Sequence, residues 1–294
     1  MGEGQTTDRN DRLLAPTKCV SAAVIPVLVA AFVILYLFPD RTQKLWGWTI
    51  TLSMSALIMG GGYLAGAYFF TRVVRSREWH RVGVGFPAIT VFSSVLMVAT
   101  VLHWERFNHD HVSFWAWLLL YASTPLLLPL LWANNRRTDP GTPSPSGDVR
   151  IPRPVRIAVG VGGAAQLAFA AFMFGWPDVV ARSWPWPVDA ATARSISAFV
   201  AFPAVTWLWF LLDDRWSSFR ITQQAATLGL VLVGVGALRA RDDFRSDGRF
   251  WTYLVTVVVT IALNVALYWA MERRAHRDSM PAPAGSQPDR VPAR

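Results

Sequence analysis

The chain has 294 residues, a formal net charge of +9, 53% apolar residues and only 16% charged ones. A soluble chain of this length would be read as two domains, but the apolar residues come in runs of about 20, which excludes that reading and points to membrane helices. The charge comes from 26 Arg and 2 Lys. No basic patch is interleaved with aromatics in a soluble segment, so the charge is assigned to loops facing anionic lipid, and nucleic-acid binding is set aside.

In chain order, residues 1–17 are polar and read as a disordered cytoplasmic tail without a cleavage site. Cys19 is the only cysteine, which excludes an intrachain disulfide and a thiolate metal cluster. Its flank, Pro16-Thr17-Lys18, does not suit lipidation, so the first apolar run is an uncleaved membrane helix. Eight runs follow one another at about 20–38, 48–74, 82–102, 112–132, 155–176, 191–212, 219–238 and 250–271. They lack period-two alternation, so the expected fold is an all-α polytopic bundle of eight transmembrane helices.

The two halves of the chain echo each other. Pro39-Asp40, Trp46 and Trp48 return 138 positions later as Pro177-Asp178, Trp184 and Trp186. Trp79 answers to Trp216, Phe107 to Phe244, Phe114-Trp115 to Phe250-Trp251, and Trp132-Ala133 to Trp269-Ala270. The predicted organisation is a first four-helix repeat at 18–133, a cytoplasmic linker at 134–154, a second repeat at 155–274 and a disordered cytoplasmic tail at 275–294. An even number of spans per repeat makes the two copies parallel. Lys and Arg number 19 on the side of the termini and 9 on the other, so the positive-inside rule places both termini in the cytoplasm of a plasma-membrane protein.

Three groups of residues could carry function. His103, His109 and His111 fall within nine residues, with Glu105 and Asp110 among them, and imidazole with carboxylate is a ligand set for zinc. The competing reading is a solvated outer loop, since no established metal-ligand spacing is present. The second run carries Gly60-Gly61-Gly62 and Gly66, and its partner, the sixth, carries Pro203; interrupted helices at matched positions point to a binding site, although glycines also serve close packing. A cavity there would be lined by Ser53, Ser55, Gly61, Ser197, Pro203 and Thr206. The Pro-Asp pairs with their tryptophans read as helix exits with aromatic anchors at headgroup level, or as a symmetric acidic pair, Asp40 and Asp178, at a cavity mouth. No ionisable residue lies near the middle of any run, which argues against an ion-coupled transporter. Asp213-Asp214-Arg215 reads as a charged helix terminus.

Phe38-Pro39-Asp40, Trp46-Gly47-Trp48-Thr49-Ile50, Gly60-Gly61-Gly62-Tyr63, His103 and Arg106-Phe107 resemble a group of multi-pass membrane proteins of GC-rich bacteria. The resemblance implies a helical plasma-membrane protein and brings no catalytic residues with it. The functional expectation is a protein that binds or transports a small molecule between its two repeats. The alternatives are a non-catalytic membrane scaffold or accessory subunit, and a metal-assisted enzyme using the outer histidines.

Overall fold

The computed structural model describes residues 10–141 and 148–278, and these are helical throughout apart from connecting turns and two isolated bridges. Eight long helices follow one another: α1 (Ala15–Phe32), α2 (Ser53–Arg75), α3 (Gly85–Leu102), α4 (Val112–Arg136), α5 (Arg153–Gly175), α6 (Ala190–Trp209), α7 (Trp216–Arg239) and α8 (Asp247–Asp278). Proline sets several boundaries. Pro16 and Pro154 lie in the first turns of α1 and α5, where the missing N–H costs nothing. Val33–Leu37 continues α1 as a π-helical turn that stops before Pro39. Within the predicted tail, Asn10–Leu14 is packed and α1 already begins at Ala15; the remainder of both tails and residues 142–147 of the predicted linker lie outside the described residues.

Seven helices are long and apolar enough to cross a bilayer: α1 with its extension, α2, α3 with the lead-in turn at His80, α4, α5, α7 and α8. The protein is a multi-pass membrane protein. The remaining long helix, α6, has 20 residues but is diluted by Arg194, Ser195, Ser197 and Thr206, of which the last three are buried. Its polarity is shielded by protein. It packs between α5 and α3, touches α2, and has little need of an apolar surface.

The inner layer is α2, α3, α6 and α7, with α2 packed on α7 and α3 on α6. The outer helices α1, α4, α5 and α8 each lean on one inner neighbour and turn residues such as Leu119, Leu126, Val258 and Leu263 outward. In lipid no hydrophobic gain separates helix from tail, so close backbone packing and hydrogen bonds must hold the inner layer. Small residues provide it. Side chains on a helix turn by about 100° per residue, and the three consecutive glycines of α2 therefore face three neighbours. A Cβ on Gly60 would stand 2.9 Å from the Tyr36 nitrogen of the α1 extension, one on Gly61 3.1 Å from Leu232 Cβ of α7, and one on Gly62 2.4 Å from the Phe199 ring of α6.

Of the four tryptophans expected as anchors, three are buried within the protein and Trp184 is half-buried. Trp46, Trp48 and Trp186 are buried because the loops fold back over the helix ends. Trp48 meets Trp117 and Phe107 at 4.8 and 4.9 Å, and Trp186 meets Tyr253 and Phe244 at 5.3 and 5.4 Å. At the opposite end, which carries both termini, further contacts recur at matched positions. The Trp79 amide donates to the Asp11 carbonyl and the His80 amide to Asp11 Oδ1 (2.8 and 3.0 Å). The Trp216 amide donates to the Val149 carbonyl and the Ser217 amide to Asp148 Oδ1 (3.0 and 3.1 Å). In each case a carboxylate caps the chain entering the next helix.

Adjacent glycines of α5 test this packing. A Cβ on Gly163 would meet the Ala204 carbonyl oxygen at 2.8 Å and Leu208 N at 3.0 Å, both backbone atoms of α6, whereas one on Gly162 would have its nearest neighbour at 4.0 Å. Gly163→Ala should lower stability by about 1–3 kcal/mol. Gly162→Ala should be neutral or gain up to about 1 kcal/mol of helix propensity. Thermal unfolding of the two variants in detergent measures the difference.

Candidate functional site

A cavity of about 350 Å³ lies between the two halves of the bundle, within the range of small-molecule sites. All eight long helices reach it. Its core is aromatic: Phe92 of α3 meets Phe199 of α6 edge-on at 4.8 Å and Tyr121 of α4 at 6.1 Å, and Tyr63 of α2 meets Phe199 at 6.0 Å. Several polar groups at its wall are bonded to protein, while the buried Trp184 Nε1 has no hydrogen-bond partner among the described residues. Tyr63 and Tyr121 share a hydroxyl–hydroxyl bond of 2.9 Å. Gln166 Nε2 donates to the Val200 carbonyl (2.9 Å), and Asn264 donates to the Thr260 carbonyl and accepts from Gln223 Nε2 (3.1 and 3.0 Å). No Asp, Glu, Lys, Arg or His lines the cavity among the described residues. The lining is mostly hydrocarbon.

A second hollow of about 380 Å³ runs between α1 and α4 and shares Leu28, Tyr63, Leu120 and Tyr121 with the first. Its outer wall includes Val27 and Val112, which are exposed. Those four shared side chains therefore separate the central cavity from a groove open to the side.

Of the residues expected to line a cavity, Pro203 does so. Ser53 donates to Asp40 at the exposed start of α2 (2.7 Å), and Ser55 accepts from Trp186 Nε1 (2.9 Å). Ser197 and Thr206 donate back to the Arg194 and Phe202 carbonyls of their own helix (2.6 and 3.4 Å), as hydroxyls on apolar helices tend to do. Gly61 faces Leu232, and it is Gly62 that borders the cavity. Asp40 and Asp178 are exposed and do not line it. The aromatic residues that shape the site carry no motif; the one trace in the sequence is that Phe92 answers to Gly229, 137 positions later, so the halves fill this space unequally.

The structure does not gather His103, His109 and His111 into one ligand set, because each has its own surroundings. His103 Nε2 accepts from Arg194 Nη1 (2.8 Å). Burial and the Arg194 charge lower its pKa, with Asp189 opposing and Arg106 reinforcing, so the ring is held neutral as an acceptor. The His109 ring stacks on Trp104 at 4.9 Å. His111 caps α4 by accepting from the Ser113 amide (3.2 Å) and donates from Nε2 to the Lys44 carbonyl (2.9 Å). Glu105 and Asp110 are exposed. The group that does converge among the described residues is Asp11, Glu78 and His80. There His80 Nδ1 engages Asp11 and Glu78 pairs with Arg81, and the matched positions Asp148 and Ser217 make the same cap without an imidazole. That group serves the fold.

Asp213-Asp214-Arg215 joins the halves. Buried Arg215 forks onto Asp139, after α4, with bonds of 2.8 and 2.9 Å, and also binds Asp213 at 2.8 Å. Burial alone would raise the Asp139 pKa, but hydrogen bonds from Arg215 and the Gly141 amide, with the Arg215 and His80 charges, hold it below the usual carboxylate range.

No protein-family model, curated relative or solved structure matches the chain.

Because the Asp139 pKa is depressed on folding, its stabilising contribution is complete above the ordinary carboxylate pKa and is lost as pH falls through the lowered value. Asp139→Asn should cost about 2 kcal/mol at neutral pH. The gap between wild type and variant should close on acidification below about pH 4, as read from unfolding temperatures across pH.

Proposed function

We propose that the protein binds a neutral molecule with a long hydrocarbon part in the cavity between its halves, and that this molecule enters sideways from the bilayer between α1 and α4. The observation that carries this reading is the wall itself: it is aromatic and aliphatic, free of charged side chains among the described residues, and Tyr63, Tyr121, Gln166 and Asn264 are already bonded to protein, which leaves few polar groups, the Trp184 indole N–H among them, without a partner. A charged or strongly hydrated solute would lose its water there without compensation. Tyrosines are the only titratable side chains in the lining, so the cavity supports binding and offers no general acid or base for catalysis near neutral pH. The side groove that shares Leu28, Tyr63, Leu120 and Tyr121 supports entry from lipid.

The same proposal takes the chain as two parallel four-helix repeats with eight spans, in the plasma membrane, with both termini cytoplasmic. Matched caps at Asp11 and Asp148, matched aromatic clusters around Trp48 and Trp186, and the exchange of partners in α2–α7 and α3–α6 support the duplication. A 20-residue α6 is about 30 Å long, which matches a hydrocarbon core.

Transfer of excitation from tryptophan to a pyrene-labelled alkane would measure cavity binding, since Trp184 and Trp207 line the site. Ala226→Phe, which fills the cavity, should weaken transfer about tenfold, a loss of about 1.4 kcal/mol, while the protein stays folded. Equal transfer in variant and wild type would defeat the reading. For topology, in a Cys19→Ser background, Asn108→Cys should react with an impermeant thiol reagent in intact cells and Thr138→Cys should not. The opposite pattern would invert the orientation.

A further inference from the structure

We infer a second binding site, for the phosphate of an anionic membrane lipid, at Arg72 near the C-terminal end of α2, where Gln224 of α7 links it to Tyr268 of α8. Arg72 Nη1 donates to Tyr68 Oη (2.9 Å) and to Gln224 Oε1 (3.1 Å), and the guanidinium lies 5.8 Å from the Tyr68 ring. These partners are uncharged. Among the described residues no carboxylate pairs with Arg72, whereas three other arginines at this end are neutralised: Arg220 by Glu272, Arg215 by Asp139 and Asp213, and Arg156 by Asp214. A half-buried guanidinium without a counter-charge is costly beside hydrocarbon, and it retains N–H groups aligned to take two oxygens of one anion. Tyr268 Oη accepts from Gln224 Nε2 (2.7 Å), which leaves its own proton available to the same anion.

The fold does not require this network. α6 packs on α3 as α2 packs on α7, and the positions that match Arg72, Gln224 and Tyr268 there are Phe210, Pro87 and Leu131. Near the matching end of α6, aromatic contacts stand instead: Trp132 of α4 meets Trp209 at 5.9 Å, and Phe210 meets Phe219 of α7 at 3.9 Å. One end therefore carries aromatic rings where the other carries a cation with polar side chains beside it. Arg72 stands one turn inside the end of α2, and from the end of a membrane-crossing helix a long side chain can reach up to the headgroups. The site is separate from the central cavity, whose lining does not include Arg72.

The full chain in detergent, supplied with equal phosphatidylglycerol and phosphatidylcholine, should retain phosphatidylglycerol when examined by native mass spectrometry. Arg72→Gln should reduce that retention about tenfold, and Arg72→Lys, which keeps the charge and loses the fork, should reduce it by a few fold and serves if the glutamine variant does not fold. Ala226→Phe should leave it unchanged, so this result is independent of the cavity. Equal retention of phosphatidylglycerol by wild type and both Arg72 variants would overturn the site. Displacement of the lipid by millimolar inorganic phosphate, with the same dependence on Arg72, would overturn the lipid as its occupant in favour of a soluble anion.

Discussion

Gly60, Gly61 and Gly62 let one helix be touched on three sides, by Tyr36, Leu232 and Phe199, and the inner layer is built around that contact. A membrane helix has no solvent to flee once inserted, so what holds it to its neighbours is the distance at which backbones can approach. At α2 that distance is set by the missing Cβ atoms. The α7 side reciprocates, since Gly236 lies against Leu57 and Gly229 against Ala65. The position of α7 then fixes α8, and the contact of Gly62 with Phe199 sets α6 against the cavity.

Much of this was legible in the sequence, because lipid imposes strong rules. The lengths of the apolar runs located the helices, and seven of them are apolar enough to span. The glycine triplet stands out in the sequence, but the sequence alone does not say which glycine faces which neighbour. Ser53, Ser55, Ser197 and Thr206 were expected at a cavity because polar residues in apolar runs attract attention; in the folded chain each finds a nearer partner. The histidines illustrate the same limit. Three imidazoles within nine residues look like a ligand set, yet a turn and a helix start send them to Arg194, to Trp104 and to the Lys44 carbonyl. Spacing along a loop does not determine where its side chains point.

The contrast between the two halves is the more informative result. Where matched positions keep the same role, as in the caps at Asp11 and Asp148, the interaction belongs to the frame. Phe92 against Gly229 leaves the cavity unequally filled, and Arg72 against Phe210 turns one of two similar crossings polar. Internal comparison of this kind separates side chains that hold the fold from those that do not, within a single chain.

The exchange of partners between halves also bears on how the chain is made. α2 and α3 come early, but the helices they pack against, α7 and α6, are among the last to leave the ribosome. The amide of Met54 at the start of α2 is capped by Asp243, which lies 189 residues further along (2.7 Å). Until α6 and α7 arrive, Gly61 and Gly62 lack the neighbours they face in the folded chain, and only Gly60 has its partner, Tyr36. The first four helices therefore pass through the insertion machinery as an unfinished bundle, and their final packing is a late event in synthesis.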